Sequence, residues 1–193
     1  IDGVAYTPFS YADSIGFRRD DYVALTSFTH HPFFERFVLE IPDNWAAHAT
    51  LNIPLDSLMR LLDSALAAGY TAAWDADVSE RGFGRRAGIA LLPQQEGRIT
   101  LPAPEIVVDQ PLRQRMFDTQ ATTDDHVMHI VGTAVDSLGN SYYKVKNSWG
   151  ERAGRHGYWY ASPAYVAAKT IELVLPRAAL GVDPGDDAFR IER

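Results

Sequence analysis

The sequence contains no cysteine. That absence excludes disulfides, thiolate metal sites and, within this chain, a thiol nucleophile. It leaves the redox compartment open, since cysteine-free domains occur in reducing and oxidising compartments alike. No stretch approaches the roughly 20 apolar residues of a membrane span, so no membrane partner is expected. A dense basic segment is missing as well. The formal net charge is −7 and the lysines and arginines are scattered, which argues against a dedicated nucleic-acid surface. Arg85-Arg86 and Arg113/Arg115 come closest to a cluster, and both read as solvated faces. Internal repeats and low-complexity segments are absent. The chain starts at Ile1 with neither a methionine nor a signal-peptide pattern, so it is expected to be a processed product or a piece of a longer protein. The motifs below favour the piece.

What is present is ordinary globular material. An apolar fraction of 46% over 193 residues is enough to build one well-cored domain, taken as residues 1–193. Residues 1–50 read as loops and short strands, with Tyr22–Leu25 and Phe37–Ile41 the strand candidates. Residues 54–68 give the clearest helix. Leu55, Leu58, Met59, Leu62, Ala65 and Leu66 recur at three-and-four spacing, Pro54 suits the first turn and Gly69 the position past the end. Tyr70–Trp74 reads as a buried strand. Residues 93–108 are rich in Pro, Gln and Gly and read as an excursion, after which Asp109 caps a short helix through Met116. From 122 to 177 strands dominate. His126–Val135 and Ser141–Asn147 flank the turn Asp136-Ser137-Leu138-Gly139-Asn140, a hairpin pattern. Gly157–Ala161 is a further strand, Ser162-Pro163 opens a helix through Lys169, and Thr170–Leu175 closes the sheet. Gly181–Arg193 is a polar tail, expected to be frayed or loosely packed.

The chemistry concentrates in Asp125-His126-Val127-Met128-His129, Lys146-Asn147-Ser148-Trp149-Gly150 and Gly154-x-x-Gly157-Tyr158. A thiolate, not a thiol, is the nucleophile, and a neighbouring imidazole can take its proton and later protonate a leaving amine. That imidazole must be held in one tautomer, which an amide oxygen can do without adding charge. A hairpin brings His126 close to Asn147, and the indole of Trp149 can keep water off their hydrogen bond. Asp125 is a candidate for tuning His126. The pair His126/His129 invites a metal reading, but residues three apart on a strand point to opposite faces, so no metal site is expected. His30, His31 and His48 read as surface loop residues, and His156 sits in the Gly154–Gly157 turn.

These segments resemble the C-terminal half of a papain-superfamily cysteine peptidase, most closely the bleomycin hydrolase/aminopeptidase C branch. The likeness is carried by Arg113–Phe117, Thr122–Met128, Asn147–Gly150, Tyr158–Ser162 and Thr170–Arg177, and more weakly by Asp20–Thr26 and Trp74–Val78. It implies an α+β fold, the right-hand domain of the papain architecture, built on an antiparallel barrel-like sheet. It further implies that His126 is the general base and acid, Asn147 its orienting partner and Trp149 the shield. The cysteine and the oxyanion glutamine then lie upstream of Ile1. None of Gln94, Gln95, Gln110, Gln114 and Gln120 stands in a family context for that donor. No metal or organic cofactor is implied. The implied partners are a peptide substrate and the N-terminal half of the same peptidase, with a homo-hexamer for the intact protein and a cytoplasmic location. A lost signal peptide would make it periplasmic or secreted instead. The tail Val182–Arg193 departs from the ending by which this branch restricts cleavage to amino ends. The rival reading is a non-catalytic papain-like module that binds peptide or protein. A metal-dependent hydrolase would need convergent ligands that the sequence lacks.

Overall fold

The computed structural model describes residues 3–94 and 103–181. Most of the tail and the middle of the 93–108 excursion lie outside the described residues. Among the described residues four α-helices and ten strands follow in chain order. Helix α1 (Pro8–Ser14) precedes strands β1 (Tyr22–Thr26), β2 (Arg36–Val38) and β3 (Ala49–Asn52). Helix α2 (Leu55–Ala67) leads to β4 (Ala72–Ala76) and the short β5 (Phe83–Gly84) and β6 (Ile89–Ala90). Helix α3 (Gln110–Asp118) enters the hairpin β7 (His126–Val135) and β8 (Ser141–Lys146). Then come β9 (Tyr158–Ala161), α4 (Pro163–Lys169) and β10 (Thr170–Pro176).

The strands form one sheet in the order β2-β3-β1-β10-β4-β7-β8-β9-β6-β5. Only β1·β3 and β6·β9 run parallel, so the fold is α+β with an antiparallel-dominated sheet. Strand β7 pairs on one side with β4, setting His126 opposite Ala76, and on the other with β8, setting His129 opposite Lys146. The hairpin turn is tied by Asp136, whose Oδ1 accepts from the backbone of Leu138 at 2.8 Å and Asn140 at 2.9 Å.

Helix α2 forms where the periodicity predicts, burying Leu58, Leu62 and Ala65 in the core with the sheet, with Leu55 buried at its start. Each leucine removed from water contributes about 2 kcal/mol. The same core takes in Trp74, Met128, Ile130, Val145, Trp159 and Tyr165.

Several boundaries differ from the sequence expectation. Residues 1–50 hold a helix, α1, whose Thr7 and Ser10 side chains cap each other's backbone N–H groups. Strand β2 ends at Val38 because β3 offers it only three partners, Leu51, Thr50 and Ala49. Strand β4 starts two residues late because the Tyr70 N–H still closes the end of α2 on Ala65. Helix α3 runs on to Asp118. Arg113 is not on a solvated face: it is fully buried.

Candidate active site

His126 opens β7, and inward-facing positions alternate along it, so His126, Met128 and Ile130 face one way and Val127 and His129 the other. Asn147 follows β8 directly, with its backbone N–H on the Gly157 carbonyl at 3.0 Å. The hairpin thus brings the two side chains together, and His126 Nε2 lies 2.9 Å from Asn147 Oδ1. The same Oδ1 accepts from the Ser148 backbone N–H at 2.7 Å. A backbone N–H can only donate, so the amide oxygen, not its NH2, faces the ring, and Nε2 carries the hydrogen. In the neutral ring Nδ1 is then the acceptor nitrogen. The amide nitrogen of Asn147 points to Met128 Sδ at 3.4 Å.

Trp149 lies over this pair, stacked on His126 with ring centroids 5.1 Å apart and planes 21° from parallel. Its own orientation is set by edge contacts to Phe83 at 5.9 Å and Trp159 at 5.3 Å. Trp159 is held close by Gly154, where a Cβ would come within 2.8 Å of the indole. Asn147 is only 4% exposed, while the His126 ring is half-buried. The amide end of the contact is therefore buried while the ring keeps an open side.

Asp125, read from the sequence as a candidate for tuning His126, sits at the edge of β7 and spends its hydrogen bonds on the neighbouring loop. Its Oδ2 accepts from the Val78 and Ser79 N–H groups at 3.0 Å, and its Oδ1 from Thr123 Oγ at 2.8 Å. It fastens the start of β7 to the 77–80 segment and does not engage the His126 ring. Burial pushes its carboxyl up, but these hydrogen bonds outweigh burial and hold it below the usual carboxylate range. His129 faces the other side of the sheet and bonds Thr71 Oγ1 at 2.7 Å, so it shares no ligand position with His126. Gln110 accepts from Leu55 N–H at 2.7 Å and from Ser27 Oγ at 3.1 Å, and Gln114 binds the Thr29 N–H, so both serve the fold.

Sequence reasoning missed the anchoring beneath the site. Lys169 is fully buried and contacts Asp77 at 3.2 Å, Glu80 and the Ala121 carbonyl. A lysine inside the apolar run Tyr165–Ile171 was the signal available. Arg113 lies over the Phe28 ring and donates to the carbonyls of Ser27 (2.7 Å), Ala167 (2.9 Å) and Thr170. Burial lowers its pKa to about 9. Asp75 and Asp124 meet on the outer face of the sheet, each with a buried Oδ1 that receives no hydrogen bond. Burial first, then the Asp124 charge, raises the Asp75 carboxyl to about 8.

The peptidase C1-like family matches residues 4–186, and the chain belongs to that family. The fold has a counterpart in PepW from Lactobacillus rhamnosis HN001. That structure superposes with a TM-score of 0.70 at 22% identity, over 91% of this chain and 40% of that one. Among curated proteins, the chain is 26% identical over 176 residues to aminopeptidase C of Lactococcus lactis subsp. cremoris, covering 88% of this chain and 39% of that one. It is 27% identical over 170 residues to aminopeptidase G of Lactobacillus delbrueckii subsp. lactis, covering 85% and 37%. The chain therefore spans about two fifths of the length of these curated relatives.

Proposed function

We propose that this chain carries the imidazole–amide half of a cysteine-type aminopeptidase. The nucleophilic cysteine and the oxyanion glutamine come from outside it. The observation that carries this reading is the 2.9 Å contact between His126 Nε2 and Asn147 Oδ1 beneath the Trp149 indole. That contact leaves His126 Nδ1 free to take a thiol proton, giving a thiolate–imidazolium pair. The thiolate then attacks the scissile carbonyl carbon. As the C–N bond breaks, Nδ1–H protonates the leaving nitrogen, and a thioester remains on the cysteine. Water enters, gives a proton to Nδ1 and adds to the thioester, and the acid product leaves as the thiolate is restored. Asn147 holds the ring through every step, and Trp149 excludes water from the bond that does so. The partners in this scheme are a peptide and the thiol-bearing half of the same protein, assembled as a hexamer by resemblance to the branch.

The test compares the 193-residue chain with the full-length protein on peptide substrates with free amino ends. The chain alone should be inert. The full-length protein should release amino-terminal residues, be blocked by thiol alkylation and lose activity in His126→Ala. Thiol-independent hydrolysis by the chain alone would overturn the proposal. A full-length protein that binds peptides without cleaving them would favour the binding-module reading.

A further inference from the structure

Two loops meet beside Trp149. The Gly154 N–H donates to the Arg85 carbonyl at 3.0 Å, and Arg155 Nε to the Ala87 carbonyl at 3.2 Å. A Cβ on Gly88 would meet Arg155 N at 2.6 Å, so the close approach of the two loops depends on glycine. These loops carry Arg81, Arg85, Arg86, Arg152 and Arg155, five of the 18 lysines and arginines in a chain of net charge −7. All five are exposed. Among the described residues the ion pairs are those of Lys169, and none uses these arginines. Their acidic neighbours in the two loops are Glu80, taken by Lys169, and the exposed Glu151. Arg85 is the one placed at the site: its guanidinium carbon lies 5.0 Å from the Trp149 ring centroid, on the indole that also stacks on His126. A guanidinium on an indole is weakly hydrated and keeps its planar donor fork, the geometry that takes a carboxylate bidentately.

The direction of the substrate follows from the proposed chemistry, on which this inference rests. His126 delivers its proton to the leaving nitrogen, so the fragment released as the amine departs beside His126, and the indole stacked on that ring is the one that carries Arg85. We infer that Arg85, backed by the charge of Arg86 and Arg155, binds a carboxylate on that leaving fragment. The preferred peptides then carry a negative charge just beyond the scissile bond. That carboxylate can be the free carboxyl end of a dipeptide or an Asp or Glu side chain.

The experiment measures kcat/KM of the full-length protein for alanyl-alanine, alanyl-alaninamide and the α-amide of alanyl-glutamate. Wild type should prefer alanyl-alanine over its amide by about tenfold, the scale of one charge-assisted hydrogen bond. Salt should shrink the ratio. In Arg85→Met the ratio should fall close to one whatever the absolute rates, and Arg85→Lys should retain part of it. The ratio is immune to a merely structural role of Arg85 against Trp149, which would slow all three substrates together. A matching gain for the glutamate amide assigns the side-chain carboxylate as well; no such gain assigns the free carboxyl end alone. A wild-type ratio near one, or a ratio unchanged in Arg85→Met, overturns the inference. In that case hydrolysis of alanyl-alaninamide that is lost in His126→Ala leaves the peptidase reading standing. Cleavage of none of the three overturns both.

Discussion

The start of β7 joins two regions built on opposite terms. On one side the His126 ring is held by a single hydrogen bond and a single stack, and keeps an open side. On the other, Lys169 and Arg113 are entirely buried, Lys169 against Asp77 and Glu80, Arg113 against backbone carbonyls and the Phe28 ring. The compact ammonium has carboxylates, whereas the delocalised guanidinium does without. What the contrast teaches is a division of labour. The anchor fixes residues 77–80 and the α4–β10 junction, Asp125 ties β7 to the former, and the ring can then be both oriented and reachable.

The largest expected effect lies on the anchor side. Lys169→Met leaves Asp77, 1% exposed, without its cation. Breaking a buried pair in this way should cost about 3–5 kcal/mol of unfolding free energy in a urea titration. Adding Asp77→Leu should recover much of the loss, since the uncompensated charge is the main penalty. A loss below about 1 kcal/mol for the single variant would mean that the anchor carries no such weight.

On the site side the effect should appear in rate. Asn147→Ala frees the His126 ring to turn, and misplacing a proton carrier costs on the order of a hundredfold in kcat. In the full-length protein kcat should drop by about that factor with KM little changed. An equal loss through KM would speak against an orienting role.

The outer face of the sheet gives a pH signature distinct from both. The Asp75 carboxyl is raised to about 8 by burial and then by Asp124, so the folded chain holds a proton that the unfolded chain releases near pH 4. This contribution to stability is fully present below about pH 4 and is lost as the pH rises through about 8. Asp75→Asn should flatten the decline in unfolding free energy across that window and leave the variant ahead of wild type at pH 9. An unchanged slope would remove Asp75 from the account.

The smallest effect is expected at Ser162, whose Oγ caps α4 through the Tyr165 N–H at 3.1 Å. Ser162→Ala should cost about 1 kcal/mol by denaturant unfolding. A loss as large as that of Lys169→Met would show that the anchor is not special.

Much of this was legible in the residue order. The α2 periodicity, the Asp136–Asn140 turn and the Ser162-Pro163 cap are local signals, and each element formed within a residue or two of its expected place. The juxtaposition of His126 and Asn147 followed because a hairpin links them directly. The rest depended on contacts between distant segments. Lys169 meets Asp77 across 92 residues, and Arg113 meets Ser27 across 86, so neither pairing leaves a periodic trace. Strand β3 and the β5–β6 pair are too short to show alternation. Arg85 is exposed, as its sequence suggests, but only the fold brings it to the Trp149 ring, and the Val78 and Ser79 N–H groups that Asp125 binds are equally invisible in the residue order.

The most direct test of the central claim is the pH dependence of thiol alkylation in the full-length protein, native against His126→Ala. The native thiol should react well below its ordinary pKa of about 8.5, with that low-pH reactivity lost on substitution. The same alkylation profile in both forms would contradict it, leaving His126 and Asn147 as a hydrogen-bonded pair without a nucleophile to serve.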